Sequence, residues 1–412
     1  MNLLILEWIC GGGYSGQKLS SNILSEGYAM LRCFIADCKT AGHTVTTFLD
    51  PRLAIFNPPN KADKIISIAS QKELYKKFAE ISSLVDGVYI IAPESGQILE
   101  NIVKTAEKDG GSSFNCKSET IKRVSNKMTT YETLKNHGLQ VPESILVNIN
   151  ENFNNVKCLT KKLGYPLVFK PLDGVSCGGL SVVKTEKDIM MALKKVAKES
   201  TSKQFIVQKK IDGKNASVCV FSDGNKTVSV SLNQQFVTMA TPENESKYYG
   251  GAVPYNHSLE KEALETAEKA VETLKGLKGY VGVDMVLTDK EPIVMEINPR
   301  LTLSYVGLQK AVNFNPAQAI IDATIEGKLP KNGQNKKHTF FSKVKVPTGS
   351  FQNITQTYKM KEVVSPPFPV EKNETSYALL AVDSSSSNGV RSAFYRAKKT
   401  LFNIYNGGLY GW

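Results

Sequence analysis

The stretch YVGVDMVLTDKEPIVMEINPR, residues 280–300, decides how the rest of the chain is read. Two apolar runs, 281–287 and 292–297, flank the turn-forming residues 288–291. Side chains alternate across a strand, so this pattern predicts a β-hairpin with two unlike faces. Counting outward from Lys290 sets Val286 opposite Val294, Asp284 opposite Glu296 and Gly282 opposite Asn298. Asp284, Glu296 and Asn298 then share one face, while Val283, Met285, Ile293, Met295 and Ile297 fill the other. Two carboxylates set deep in apolar sequence are costly unless a cation binds them. An all-oxygen set suits magnesium, which is held by one or two carboxylates together with substrate phosphates.

Upstream, YPLVFKPLDGVSCGGLSVV (165–183) predicts a strand carrying Lys170, a glycine-rich loop over 173–180 and a returning strand. Small residues let backbone N–H groups approach phosphate oxygens, and Lys170 adds a point charge. The loop is not a Walker A motif, since no GKS or GKT follows. Ser125-Asn126-Lys127 reads as a fresh helix start, where backbone donors favour an anion. Residues 205–211, 216–221, 228–232 and 234–237 read as strands of an antiparallel set. Residues 240–253, polar and with a Gly250-Gly251 hinge, read as a mobile active-site loop. A helix over 258–275 leads into the hairpin.

Residues 1–115 alternate strand and helix, with strands at 3–6, 45–48 and 85–92 and a helix over 21–41. That order predicts a small parallel sheet with ligands beyond its carboxyl ends, where 7–16, 50–52 and 93–95 fall. The opening MNLLILEWIC lacks a basic leader and carries Glu7, so it reads as the first strand and not as a secretion signal. Residues 331–338 form a polar linker. Residues 339–412 hold two strand-like runs and a basic amphipathic helix, a small α+β appendage for packing, dimer contact or shaping a cleft.

At 412 residues, 41% hydrophobic and 22% charged, the composition is that of a soluble globular chain of two or three domains. No apolar run approaches the roughly 18 residues of a membrane span. The seven cysteines are scattered and form no CxxC pair, which predicts reduced thiols in a cytoplasm and no zinc site. The net charge of +12 comes from lysines spread along the chain without an arginine cluster. It reads as a solvated surface that favours anionic substrates, and no nucleic-acid partner is expected.

Lys127, Lys170 with its glycine loop, residues 208–211, Asp284, Glu296 and Asn298 follow in one order over residues 127–298. In that order the chain resembles the ATP-grasp superfamily of carboxylate–amine ligases over about residues 1–330. The resemblance implies an α/β and α+β architecture: a Rossmann-like pre-ATP-grasp domain (1–115), an ATP-grasp domain (116–330, with subdomains 116–204 and 205–330) and the appendage (331–412). It implies that Lys127 and Lys170 hold ATP phosphates, and that the loop with Gly174, Ser176, Gly178 and Gly179 closes over them. Gln208 and the backbone from Lys209 to Ile211 would meet adenine, and Asn215 the ribose. Asp284, Glu296 and Asn298 would hold two magnesium or manganese ions. Arg300, with Lys170, would act on the transferred phosphate or the acyl intermediate.

Gln208 and Asn215 depart from the family, which places acidic residues there; an amide still donates and accepts hydrogen bonds. Glu7, Gly11 to Gly13, Glu26-Gly27, Met30-Leu31, Asp50-Pro51-Arg52, Ala92-Pro93-Glu94 and Tyr248-Tyr249-Gly250-Gly251 are similar to the archaeal tyramine–glutamate ligases. A D-alanine–D-alanine ligase-like enzyme and a nucleotide-binding module without turnover stand as alternatives.

Overall fold

The computed structural model describes residues 1–108, 111–172, 178–200, 202–331, 337–370 and 375–405. The chain opens with β1 (Asn2–Glu7), β2 (Thr44–Leu49), β3 (Lys64–Ser67) and β4 (Gly87–Ile91), which make a parallel sheet ordered β3-β2-β1-β4. The helix Ser21–Thr40 is capped by Ser20, which accepts from the Asn22 amide, and it buries Leu24, Tyr28, Leu31, Ile35 and Cys38 against the sheet. Sequence periodicity missed β3. It is a four-residue edge strand whose side chains are mostly exposed, so burial imposes no pattern on it.

A second sheet is antiparallel, with order β5-β8-β6-β7: β5 (Ser144–Asn148), β6 (Leu167–Pro171), β7 (Ser181–Val183) and β8 (Gln204–Lys209). The helices Phe153–Leu163 and Ile189–Glu199 cover one face, through Val156, Leu163, Ile189 and Val196 packed on Phe169, Phe205 and Val207. The other face is left to the cleft.

The third sheet has eight strands: β9 (Lys214–Asp223), β10 (Thr227–Thr238), β11 (Lys247–Val253), β12 (Lys278–Leu287), β13 (Pro292–Asn298), β14 (His338–Pro347), β15 (Val363–Ser365) and β16 (Thr375–Ser384), in the order β13-β12-β9-β10-β11-β14-β16-β15. Its strands obey a two-residue period. Ala216, Val218, Val220, Leu232, Val281 and Val283 pack on Ala263, Ala267 and Val271 of the helix Glu260–Thr273. Ser217, Cys219, Asn233 and Asp284 lie on the opposite face. The α+β segment at the carboxyl end joins this sheet edge to edge through β11 and β14.

Three sequence expectations are corrected here. Residues 228–232 and 234–237 belong to one strand, β10, because Asn233 is not a break. It is buried, with its Oδ1 accepting from Ser231 Oγ at 2.8 Å and its Nδ2 donating to Cys219 Sγ at 3.2 Å. Residues 240–253 are not one long loop, since 247–253 form β11, paired with both β10 and β14. Gly250 and Gly251 are there for close approach, not as a hinge. A Cβ on Gly250 would lie 2.1 Å from Phe341 O, and one on Gly251 2.4 Å from Gln234 O. Gly250 also has φ +143°, which L side chains rarely adopt. Gly250→Ala is therefore expected to lower stability by about 2 kcal/mol, read from the urea midpoint. An unchanged midpoint would refute the packing role.

The third correction concerns the hairpin. Gly282 pairs with Asn298 and Asp284 with Glu296, as the spacing predicts, but a bulge follows and Met285 pairs with Val294, Val286 with Ile293. The extra residue is Met295. Val294 thus joins Val283, Met285 and Ile297 in the core, while Met295 lines a cavity. A bulge sets two residues against one, which a symmetric count cannot anticipate.

Candidate active site

The cleft lies between the two antiparallel sheets and reaches the carboxyl rim of the parallel one. Lys127, Lys170, Gly178, Asp284, Glu296, Asn298 and Arg300 line one cavity. Gln208, Lys209, Ile211 and Asn215 line a second, which shares Lys170, Asp284 and Glu296 with the first. Gly179 lines neither; its φ is +70° and it packs against Pro171. Gly174 and Ser176 lie outside the described residues.

Lys127 opens the helix Lys127–Asn136, whose cap Asn126 accepts from the Thr129 amide. Its Nζ is 3.1 Å from Glu296 Oε1. Lys170, on β6, donates to Tyr131 Oη at 2.6 Å, and that hydroxyl donates to Met295 O at 2.8 Å. Asp284 is held by two amides, Gln235 Nε2 at 2.8 Å on Oδ1 and Asn298 Nδ2 at 3.1 Å on Oδ2. Arg300 Nε lies 2.9 Å from Glu94 Oε2, which ties the hairpin to the loop after β4.

The two carboxylates are shifted in opposite directions. Burial, then the like charge of Glu296, pushes Asp284 up to about 6. Burial opposes ionisation of Glu296 too, but Lys127 and Lys170 outweigh it and hold its carboxyl below the usual range. Burial pulls the Lys170 ammonium below the usual lysine range, although both carboxylates support its charge.

Repelling carboxylates on facing strands fit a divalent cation. Among the described residues no group of three or more Asp, Glu, His or Cys could hold a metal alone. Asp284, Glu296 and Asn298 would therefore need phosphate oxygens to complete a magnesium site.

In the second cavity Gln208 is buried and donates through Nε2 to Ser144 Oγ at 2.9 Å. Val168, Val286 and Met295 add apolar walls of the kind a flat heterocycle uses.

Several residues here were not singled out by the sequence. Tyr131 stands one helical turn after Lys127, a spacing that could have marked it. Gln235 reaches Asp284 from β10 across the sheet, with no local signal. Lys343 comes from β14 and forms a buried pair with Glu26 at 2.5 Å. It also lies 6.0 Å from the centre of the Tyr248 ring. Glu26 and Tyr248 both line the first cavity.

Two lysines, an acidic hairpin and a cleft between two antiparallel sheets, preceded by a parallel sheet, define an ATP-grasp ligase. The chain belongs to the ATP-grasp carboxylate–amine ligase family: residues 124–304 match the ATP-grasp domain and residues 43–121 the pre-ATP-grasp domain. It is similar to tyramine–L-glutamate ligase of Methanocaldococcus jannaschii, with 29% identity over 82% of this chain and 91% of that protein. Two solved structures share the fold. The L-amino acid ligase from Bacillus licheniformis aligns with TM-score 0.66 at 17% identity, over 97% of each chain. The ATP-analogue complex of biotin carboxylase from Campylobacter jejuni aligns with TM-score 0.70 at 16% identity, over 96% of this chain and 90% of that one. No described helix is long and apolar enough to cross a membrane.

Proposed function

We propose that the protein activates a carboxylate with ATP as an acyl phosphate and joins it to an amine, releasing ADP and phosphate, with L-glutamate and tyramine as the substrate pair. The observation that carries this is the meeting of Lys127, Lys170, Asp284, Glu296 and Arg300, from separate elements, on one cleft. The similarity to tyramine–L-glutamate ligase supports the substrate pair.

In this scheme the cavity of Gln208, Lys209, Ile211 and Asn215 takes the nucleoside. Lys127 and Lys170 present charge to the phosphates. Magnesium or manganese held by Asp284, Glu296 and Asn298 would offset the charge that builds during phosphoryl transfer. Arg300 orients the substrate carboxylate, and its guanidinium steadies the acyl phosphate. Enclosure by the two sheets keeps water from that intermediate. No side-chain nucleophile is required, because positioning and electrostatics carry the transfer.

ADP release with magnesium and a panel of amines and amino acids tests this directly. Release that needs tyramine and L-glutamate together is the expected result. Release with a different pair would keep the ligase and replace the substrates. Nucleotide binding without ADP release for any pair would favour a module that binds without turning over.

A further inference from the structure

The cleft holds a buried acceptor that lacks a donor. Glu94 follows β4 at the carboxyl rim of the parallel sheet, and its Oε2 takes Arg300 Nε at 2.9 Å. Its Oε1 is buried and has no hydrogen-bond partner among the described residues. Leaving such an oxygen unpaired is destabilising. Buried polar atoms are nearly always satisfied, so one that is not points to a donor that the described residues do not supply. Glu26, the other carboxylate on this wall, is already taken by Lys343.

We propose that Glu94 Oε1 receives the nitrogen of the amine substrate, which makes Glu94 the residue that sets amine against activated carboxylate. This rests on the ligase reading above. One carboxylate then serves both halves of the reaction: Oε2 fixes Arg300, and Oε1 fixes the nucleophile beside whatever Arg300 holds. Met30, Tyr248 and Leu303 line the same cavity and offer an apolar, aromatic wall for the body of the amine. An amine that arrives protonated first loses a proton to solvent. The nitrogen lone pair then forms the C–N bond and the C–O bond to phosphate breaks. The bonding pair leaves with inorganic phosphate, and the proton displaced from nitrogen passes to Glu94 Oε1.

Glu94→Gln tests the assignment sharply. The amide oxygen can still accept from Arg300, while the amide nitrogen puts a donor where the amine needs an acceptor. With tyramine, or whichever panel amine supports ADP release, the amine KM is expected to rise on the order of 30-fold. The KM values for ATP and for the carboxylate should move less than about threefold. An amine KM that shifts no more than the carboxylate KM would overturn the assignment. If Glu94→Gln does not fold, the wild-type enzyme still decides. The deaminated analogue of the amine should inhibit with a Ki on the order of 30-fold above the amine KM, and inhibition as tight as the amine KM would overturn the role of Oε1. Hydroxylamine, added to wild type with ATP and the carboxylate, traps acyl phosphate as a hydroxamate. Hydroxamate with an unshifted amine KM removes only Glu94; neither hydroxamate nor ADP with any panel substrate removes the ligase reading and this assignment with it.

Discussion

Glu296→Ala is expected to reduce ATP turnover by roughly 10³-fold or more while leaving the protein folded. Glu296 pairs with Lys127 at 3.1 Å, supports the charge on Lys170 and faces Asp284 across the hairpin. Without it the lysines lose their counter-charge, and any divalent ion loses one of two carboxylates. Folding should survive because the side chain faces the cleft, not the core formed by Val283, Val294 and Ile297. Magnesium-dependent ADP release, with far-UV circular dichroism as the folding check, gives the answer. Turnover within about tenfold of wild type would end the metal assignment. Glu296→Gln should behave like the alanine variant, since its amide carries no charge.

Lys343→Ala is expected to destabilise the protein by about 3 kcal/mol. Lys343 and Glu26 have side chains only 5% and 10% exposed, so their removal from water is nearly complete. Truncating the lysine takes the ammonium counter-charge from a buried carboxylate, which is worse than removing both charges. The double variant Lys343→Met with Glu26→Leu should recover most of the loss. Denaturant midpoints for Lys343→Met, Glu26→Leu and the double variant complete the cycle. A single-variant cost below about 1 kcal/mol would mean that the pair behaves as an exposed one. The pair also makes β14 a clamp, which holds the carboxyl-terminal strands to the helix Ser21–Thr40 along the edge of the cleft.

Much of the candidate site is legible in the sequence alone. Asp284, Glu296 and Asn298 alternate with apolar residues, and a strand's two-residue period puts them on one face whatever surrounds them. Lys170 sits on a strand next to a glycine-rich loop, and Lys127 follows a capping asparagine. Both are local patterns with local causes. The bulge at Met295, by contrast, could not be read, because the symmetric count treats both strands as regular. Gly250-Gly251 misled for a related reason. A glycine pair in polar sequence looks flexible, and only the neighbouring backbones of Phe341 and Gln234 show that the strands need the space.

The chain by itself determined which residues alternate, where the helices start and which side chains could carry charge into a cleft, since these follow from backbone geometry and solvation acting over a few residues. Only the tertiary structure decided which of them meet. Gln235 reaches Asp284 over 49 positions, Arg300 reaches Glu94 over 206 and Lys343 reaches Glu26 over 317. Contacts of that span arise from sheet order and from how the three sheets pack, and no local pattern encodes them.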